Sequence, residues 1–235
     1  MERNALIILL KYPRSGQVKT RLGSGIGFEN ACRLYSCFVL DTLDAISSTK
    51  NAVRIAYDPP EAARSIMEWL GPDYGYFPQE GEDLGMRLQD AFQKTFAEGF
   101  KNAVLIATDC PDIKMDMIDE GFRRLDRHLK RTDSVIGPSP DGGYYLIGFK
   151  AQSLVPAAFE NIPWGTADVF NKTLSTLKQA GLHPHILPQW RDIDTTADLA
   201  DLIRMHCNSP FRKSKTMRFL LSRPELMRKL KGGSK

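Results

Sequence analysis

Two uninterrupted apolar runs, Ala5–Leu10 and Ala103–Ala107, constrain this chain more than any other feature in it. Neither alternates between apolar and polar residues, so each must be buried on both faces, the condition of a strand inside a parallel sheet covered by helices on two sides. Stretches with helical spacing separate such runs. After a loop over Lys11–Gly27, residues Ala31, Leu34, Tyr35, Phe38, Thr42 and Ile46 stripe a helix from Glu29 to about Ser47. A short strand follows at Ala52–Tyr57. Leu84, Leu88, Ala91, Phe92 and Phe96 mark a second helix, and Ile118, Phe122, Leu125 and Leu129 a third. The turn Asp141-Gly142-Gly143 then joins a strand opening at Ser134–Gly137 to one at Tyr144–Phe149. Val169, Phe170, Thr173, Leu174 and Leu177 stripe a helix that Gly181 ends, before a short strand at His185–Leu187 and a helix at Asp198–His206. This alternation predicts an open, mostly parallel α/β sheet with helices on both faces.

Composition narrows the class further. With 42% hydrophobic and 26% charged residues the chain has the means to bury a core, which excludes a disordered or collagen-like protein. No apolar run approaches the roughly 18 residues a membrane helix needs, so a cytoplasmic protein without a transmembrane segment is expected. Cys32, Cys37, Cys110 and Cys207 form no Cys-x-x-Cys pair, and the histidines, including His128 and His206, show no ligand spacing beyond His183-Pro-His185. Reduced thiols and no histidine metal site are expected. The net charge of +4 conceals an asymmetry: residues 209–235 carry nine Lys or Arg against one acid, Glu225, so the other 208 residues sum to −4. A main domain over 1–208 and a basic C-terminal tail over 209–235 are therefore expected, the tail solvated with one or two helical turns around Met217, Leu220 and Leu221. No DNA-binding surface is expected on the body, because its positive field is absent.

In an open α/β sheet ligands bind beyond the carboxyl ends of the strands, which directs attention to the polar segments that follow the apolar runs. The first, from Lys11 to Arg21, holds Gly16 and four cations, Lys11, Arg14, Lys19 and Arg21, in eleven residues. Loop amides, lysine point charges and an arginine fork suit a polyphosphate, although a solvated basic turn has the same composition and the Walker A spacing is absent. The second is Thr108-Asp109-Cys110-Pro111. An acid at the tip of a buried strand is costly unless it is hydrogen-bonded or meets a cation. In the third, Arg191 to Thr196, Asp194 or Thr195 can cap the last helix. If Asp109 and Asp194 converge instead, they form a hard-oxygen site for Mg²⁺. In the fourth, Gly142 and Gly143 serve either a hairpin or the close approach of a substrate to the backbone, with Asp141 available as a base. Asp83, before the helix at Leu84, is a candidate N-cap, and Thr166 is another before the helix at Val169.

Taken in order, Leu10 to Leu22, Gly81 to Arg87, Thr108 to Pro111, Gly137 to Gly148, Ile162-Pro163-Trp164 and Asp192 to Thr195 resemble the bacterial glycosyltransferase-A-like family of nucleotide-diphospho-sugar transferases, close to the 2-phospholactate guanylyltransferase group. The resemblance spans about Ala5 to Arg204 and leaves the basic tail outside. It implies a Rossmann-like, three-layer α/β/α fold, a nucleotide held by Lys11, Gly16, Lys19, Thr20, Arg21, Asp83, Gly85 and Arg87, and Mg²⁺ or Mn²⁺ on Asp109 and Asp194. It also implies an acceptor pocket with Gly142, Gly143, Tyr144 and Trp164, and catalytic roles for Asp109, Asp141 and Lys19. The Leu-x-Gly-Gly-type first loop of the related nucleotidyltransferases is missing, and no Asp-x-Asp follows the middle strand.

Two reactions fit this implied site. In one, a small acceptor's hydroxyl attacks the anomeric carbon of a nucleotide-diphosphate sugar and the nucleoside diphosphate leaves. In the other, a phosphorylated acceptor attacks the α-phosphorus of a nucleoside triphosphate, as in guanylyl transfer, and pyrophosphate leaves. Both build negative charge on phosphate oxygens, so both call on the same cations. The differing first loop and the availability of Asp141 favour sugar transfer. A non-catalytic nucleotide-binding module is the lesser alternative.

Overall fold

The computed structural model describes residues 3–126 and 132–232. The expected helical position Leu129 and the histidine His128 lie outside the described residues. The strands are β1 (Asn4–Lys11), β2 (Ala52–Asp58), β3 (Gly75–Pro78), β4 (Asn102–Ala107), β5 (Ser134–Pro138), β6 (Tyr144–Lys150) and β7 (Pro184–Ile186). The helices are α1 (Thr20–Ile26), α2 (Phe28–Ala45), α3 (Ala63–Leu70), α4 (Leu84–Ala97), α5 (Met115–Arg124), α6 (Val169–Gln179), α7 (Thr196–Met205), α8 (Lys215–Leu221) and α9 (Pro224–Gly232). They fall into two structural units. The first is Met1–Tyr12, Thr49–Ala107 and Lys114–Arg191; the second is Pro13–Ser48, Thr108–Ile113 and Asp192–Lys235.

The first unit holds the whole sheet, in the order β3-β2-β1-β4-β6-β5-β7. The expected Rossmann-like, mostly parallel architecture is what forms. The two apolar runs that dominate the sequence become the adjacent central strands β1 and β4, in register from Asn4 opposite Asn102 to Leu9 opposite Ala107. Among the described strands only β6 runs against its neighbours, lying between β4 and β5. Tyr144 therefore enters the sheet at the edge where the parallel strands β1, β2, β4 and β5 leave it.

Helices cover both faces of this sheet. On one, Ile7, Ala103, Leu105, Ile147 and Phe149 pack with Leu88, Ala91 and Phe92 of α4, Leu177 of α6, and Phe159. Phe92 stacks on Phe96 and Phe159 and meets Phe149 edge-on at 5.1 Å between ring centroids. On the other, Gly121 of α5 lies against Val104, Val135 and Leu146. Two helix ends are those expected from sequence. Asp83 caps α4 by accepting from the Met86 amide at 2.8 Å, and after α6 the amides of Gly181 and Leu182 close back onto Lys178 and Leu177. Thr166 does not cap α6. Asp168 occupies the N-cap position, and the Thr166 hydroxyl instead donates to the Pro163 carbonyl within the preceding turn.

The second unit is helical. Helix α1 lies inside the stretch expected to be a loop, where Gly23 and Gly25 weaken the helical signal. Both glycines answer packing demands: a Cβ at Gly23 would fall 2.5 Å from the Phe28 ring, and one at Gly25 2.3 Å from the Thr196 methyl. The expectation of a solvated basic tail is corrected here. Helices α8 and α9 bury Thr216, Met217, Leu220, Leu226 and Leu230, while Arg212, Lys213, Arg218, Arg228 and Lys229 stay exposed, so the segment is amphipathic rather than merely charged. Its anchor is Asp41 of α2, only 5% exposed, whose carboxylate accepts from the Lys215 and Thr216 amides at 2.8 Å each. Asp41→Ala strands the buried Thr216 amide at a cost of about 1–3 kcal/mol. A melting temperature lower by roughly 2–12 °C is expected in differential scanning calorimetry for a chain of this size.

Candidate active site

The second unit brings four of the expected residues to one point. Asp109 comes two residues after β4 in the chain, and Asp194 comes just before α7. Their segments are tied together by the Ile193 amide donating to the Asp109 carbonyl at 2.9 Å and by the Cys110 thiol donating to Asp192 at 2.9 Å. Upstream, the Tyr35 and Thr108 hydroxyls are hydrogen-bonded at 3.0 Å in the interior. The competing role for Asp194 as a helix cap is taken by its neighbour. Thr195 forms a capping box with Asp198, hydroxyl to amide and carboxylate to amide, which leaves the Asp194 carboxylate free to turn elsewhere.

It turns to Lys19. The Lys19 Nζ lies 2.5 Å from Asp109 Oδ1 and 2.8 Å from Asp194 Oδ1, with the lysine side chain 4% exposed and the carboxylates 38% and 31%. A left-handed backbone at Lys19 (φ 47°, ψ 47°) aims the side chain inward, and its ammonium also sits 5.7 Å above the buried Phe38 ring. Such a conformation is uncommon in a non-glycine residue. Arg21, 75% exposed, reaches Asp194 Oδ2 at 3.3 Å. Burial by itself would depress the Lys19 ammonium, but Asp109 and Asp194 outweigh it and hold the pKa well above the ordinary lysine value. Burial by itself would raise the Asp194 carboxyl; Lys19 and then Arg21 outweigh it and hold the pKa below the ordinary value. Burial, with Asp192 beside it, pushes the Cys110 thiol far up, so this cysteine is not a nucleophile at neutral pH.

Sequence reasoning gave Lys19 to the phosphates and did not anticipate that two acids would share it. The other loop residues are less committed. Gly16 (φ +79°) is the third residue of an exposed turn closed by the Gln17 amide on the Arg14 carbonyl, and Thr20 is exposed at the start of α1. His206, which carries no spacing signal in the sequence, bridges the buried Asp112 (Nε2 to Oδ2, 2.8 Å) and Ser209 (Nδ1 to Oγ, 2.7 Å) beside the Phe211 ring. No spacing signal joins residues 94 apart in sequence.

Of the expected residues in the first unit, Gly85 and Tyr144 lie against Trp164. Gly85 packs so closely that a Cβ would lie 2.2 Å from the Phe159 carbonyl and 3.0 Å from the Trp164 indole nitrogen. The Tyr144 ring meets Trp164 edge-on at 6.3 Å. Gly142 (φ +90°) leaves no room for a side chain, since a Cβ would lie 2.1 Å from the Ala167 carbonyl. Asp141 is exposed, and its Oδ1 accepts from the Gly143 amide at 3.0 Å, the hydrogen bond of an Asx turn. Arg87 donates to the Gly81 carbonyl at 3.1 Å and approaches Asp58 at 3.4 Å, while Asp83 serves as the α4 cap. Lys11 ends β1 with its side chain exposed.

The donor chemistry suits a divalent cation. Two partly exposed carboxylates converge, and each has lone pairs beyond the one turned to Lys19. No third His, Cys, Asp or Glu completes a metal cluster among the described residues. A divalent ion held by these two carboxylates would take phosphate oxygens or water for the rest of its shell.

The crystal structure of a protein from Desulfovibrio desulfuricans G20, provisionally named a nucleotide-diphospho-sugar transferase, superimposes on this chain with a TM-score of 0.91 at 38% identity, covering 98% of this chain and 99% of that one. A cytidylyltransferase from Leptospira borgpetersenii serovar Hardjo-bovis shares the fold at a TM-score of 0.56 and 15% identity, covering 98% and 97%. A CMP:2-keto-3-deoxy-manno-octonic acid synthetase solved with CTP does so at 0.52 and 12%, covering 88% and 99%. The curated proteins give no match. The fold is that of the nucleotide-diphospho-sugar transferase-like proteins, shared with these more distant nucleotidyltransferase structures. Residues 42–166, more than half the chain, match the family described as an uncharacterized protein conserved in bacteria (DUF2064), and the chain belongs to that family. No described helix is long and apolar enough to cross a membrane.

Proposed function

We propose that the protein transfers a glycosyl group from a nucleotide-diphosphate sugar to a small acceptor, with Mg²⁺ or Mn²⁺ bound at Asp109 and Asp194. The observation that carries this reading is the Lys19 bridge between the two aspartates. With Arg21 included, two positive and two negative side chains balance, so the cluster has no surplus charge of its own for an anion. Such a cluster suits a diphosphate that arrives with a divalent cation better than a triphosphate together with a phosphorylated acceptor, which would crowd more negative charge at the same point. The metal would neutralise the diphosphate oxygens as the bond to the anomeric carbon breaks. Arg21, exposed and able to fork, orients the departing diphosphate. Lys19 keeps the carboxylates converged. The acceptor roles of Gly142, Gly143, Tyr144 and Trp164, and that of Asp141 as base, rest on the family resemblance.

A melting-temperature screen against nucleotides and nucleotide sugars, with and without Mg²⁺ or Mn²⁺, tests the proposal. Ligand at about 100 times its dissociation constant adds roughly 2.7 kcal/mol. At roughly 2–4 °C per kcal/mol for a domain of this size, a shift of about 5–11 °C is expected with a sugar conjugate in the presence of metal. A shift with triphosphates alone overturns sugar transfer in favour of nucleotidyl transfer.

A further inference from the structure

A lysine that simply reaches for a phosphate can do so from solvent. Lys19 is instead almost fully buried, set by a left-handed backbone, and in contact with the two acids that the functional proposal assigns to the metal. Two carboxylates drawn to one point repel unless a cation lies between them. In this structure that cation is the Lys19 ammonium, which takes Oδ1 of both. A divalent ion seeking the same pair meets oxygens already engaged, and two shared carboxylates are few ligands for an ion that prefers six. Phosphate oxygens supply what is missing.

We propose that Lys19 is a built-in counter-cation that holds Asp109 and Asp194 converged and competes with the divalent ion for them, so that metal enters together with the diphosphate and not ahead of it. This inference rests on the reading that the aspartate pair is the metal site. Lys19 acts through the two acids and is a positioning residue.

The test uses Mn²⁺ alone on the full-length chain. Lys19→Met keeps the side-chain length and removes the charge. It is expected to bind Mn²⁺ at least about tenfold more tightly than the wild type in isothermal titration calorimetry, and Lys19→Arg to stay as weak as the wild type, because opposite charges close together favour each other's charged form. Without metal, Lys19→Met is expected to melt about 5 °C or more below the wild type, since breaking a buried pair leaves uncompensated charge, and to recover with Mn²⁺. Affinity for Mn²⁺ unchanged in Lys19→Met overturns the proposal. Should that variant not fold, the wild type decides the question. Its Lys19 ammonium signal in ¹H–¹⁵N spectra, assigned by its loss in Lys19→Arg, is expected to be displaced by mass action as Mg²⁺ is raised to about 50 mM. A signal unmoved over that range overturns the competition. Because no nucleotide is present, failure to bind a sugar donor would leave this result intact, and the reverse also holds.

Discussion

Asp109→Ala is expected to keep the circular dichroism spectrum of the wild type and to lose at least about a hundredfold in turnover, the scale of removing one preorganised stabiliser of developing charge, roughly 2.7–4 kcal/mol. The fold is expected to survive because the tie between the two segments runs through the Asp109 carbonyl and the Ile193 amide, which the substitution leaves in place. Asp194 remains to neutralise Lys19. The measurement is a steady-state rate with the donor that the melting screen selects. If the rate is unchanged, Asp109 has no part in the reaction, whatever the fold.

Phe92→Ala is the counterpart in the first unit, with the effect on stability rather than rate. Phe92 is fully buried and touches three other phenylalanine rings, Phe96, Phe149 and Phe159, so its removal opens a cavity bordered by stiff aromatic walls that cannot collapse into it. Substitutions of this kind cost about 3–5 kcal/mol. The melting temperature is expected to fall by roughly 6–20 °C. A fall of less than about 3 °C would mean that the aromatic cluster is not the organising contact between α4 and the sheet.

What the sequence disclosed follows from how local each signal is. Period and apolarity alone identify β1, β4 and the stripe of α4, because burial on two faces or on one stripe is written in consecutive residues. Asp109 also stands out, since an acid beyond a buried strand needs a partner, and Asp194 does as one of the acids just before the last helix. Their convergence is a different matter, because it depends on a backbone hydrogen bond between residues 84 apart in the chain and on Thr195 taking the helix cap. Lys19 was legible as a loop cation but not as a buried one, since nothing in its neighbours signals a left-handed turn at a lysine. Helix α1 was hidden by two glycines whose reason lies in Phe28 and Thr196. In the C-terminal segment helical turns around Met217 and Leu220 are legible, whereas its burial is not, because the acid that receives the segment, Asp41, belongs to a distant helix.

The reversed direction of β6 has a consequence for how the sheet comes together. Every other pair of neighbouring strands must wait for a longer excursion of chain to return, whereas β5 and β6 are joined by the five residues from Ser139 to Gly143. Loop closure is entropically cheapest there, so the ladder that presents Tyr144 has the shortest search of any in the sheet and the least to gain from the rest of the molecule in finding its register.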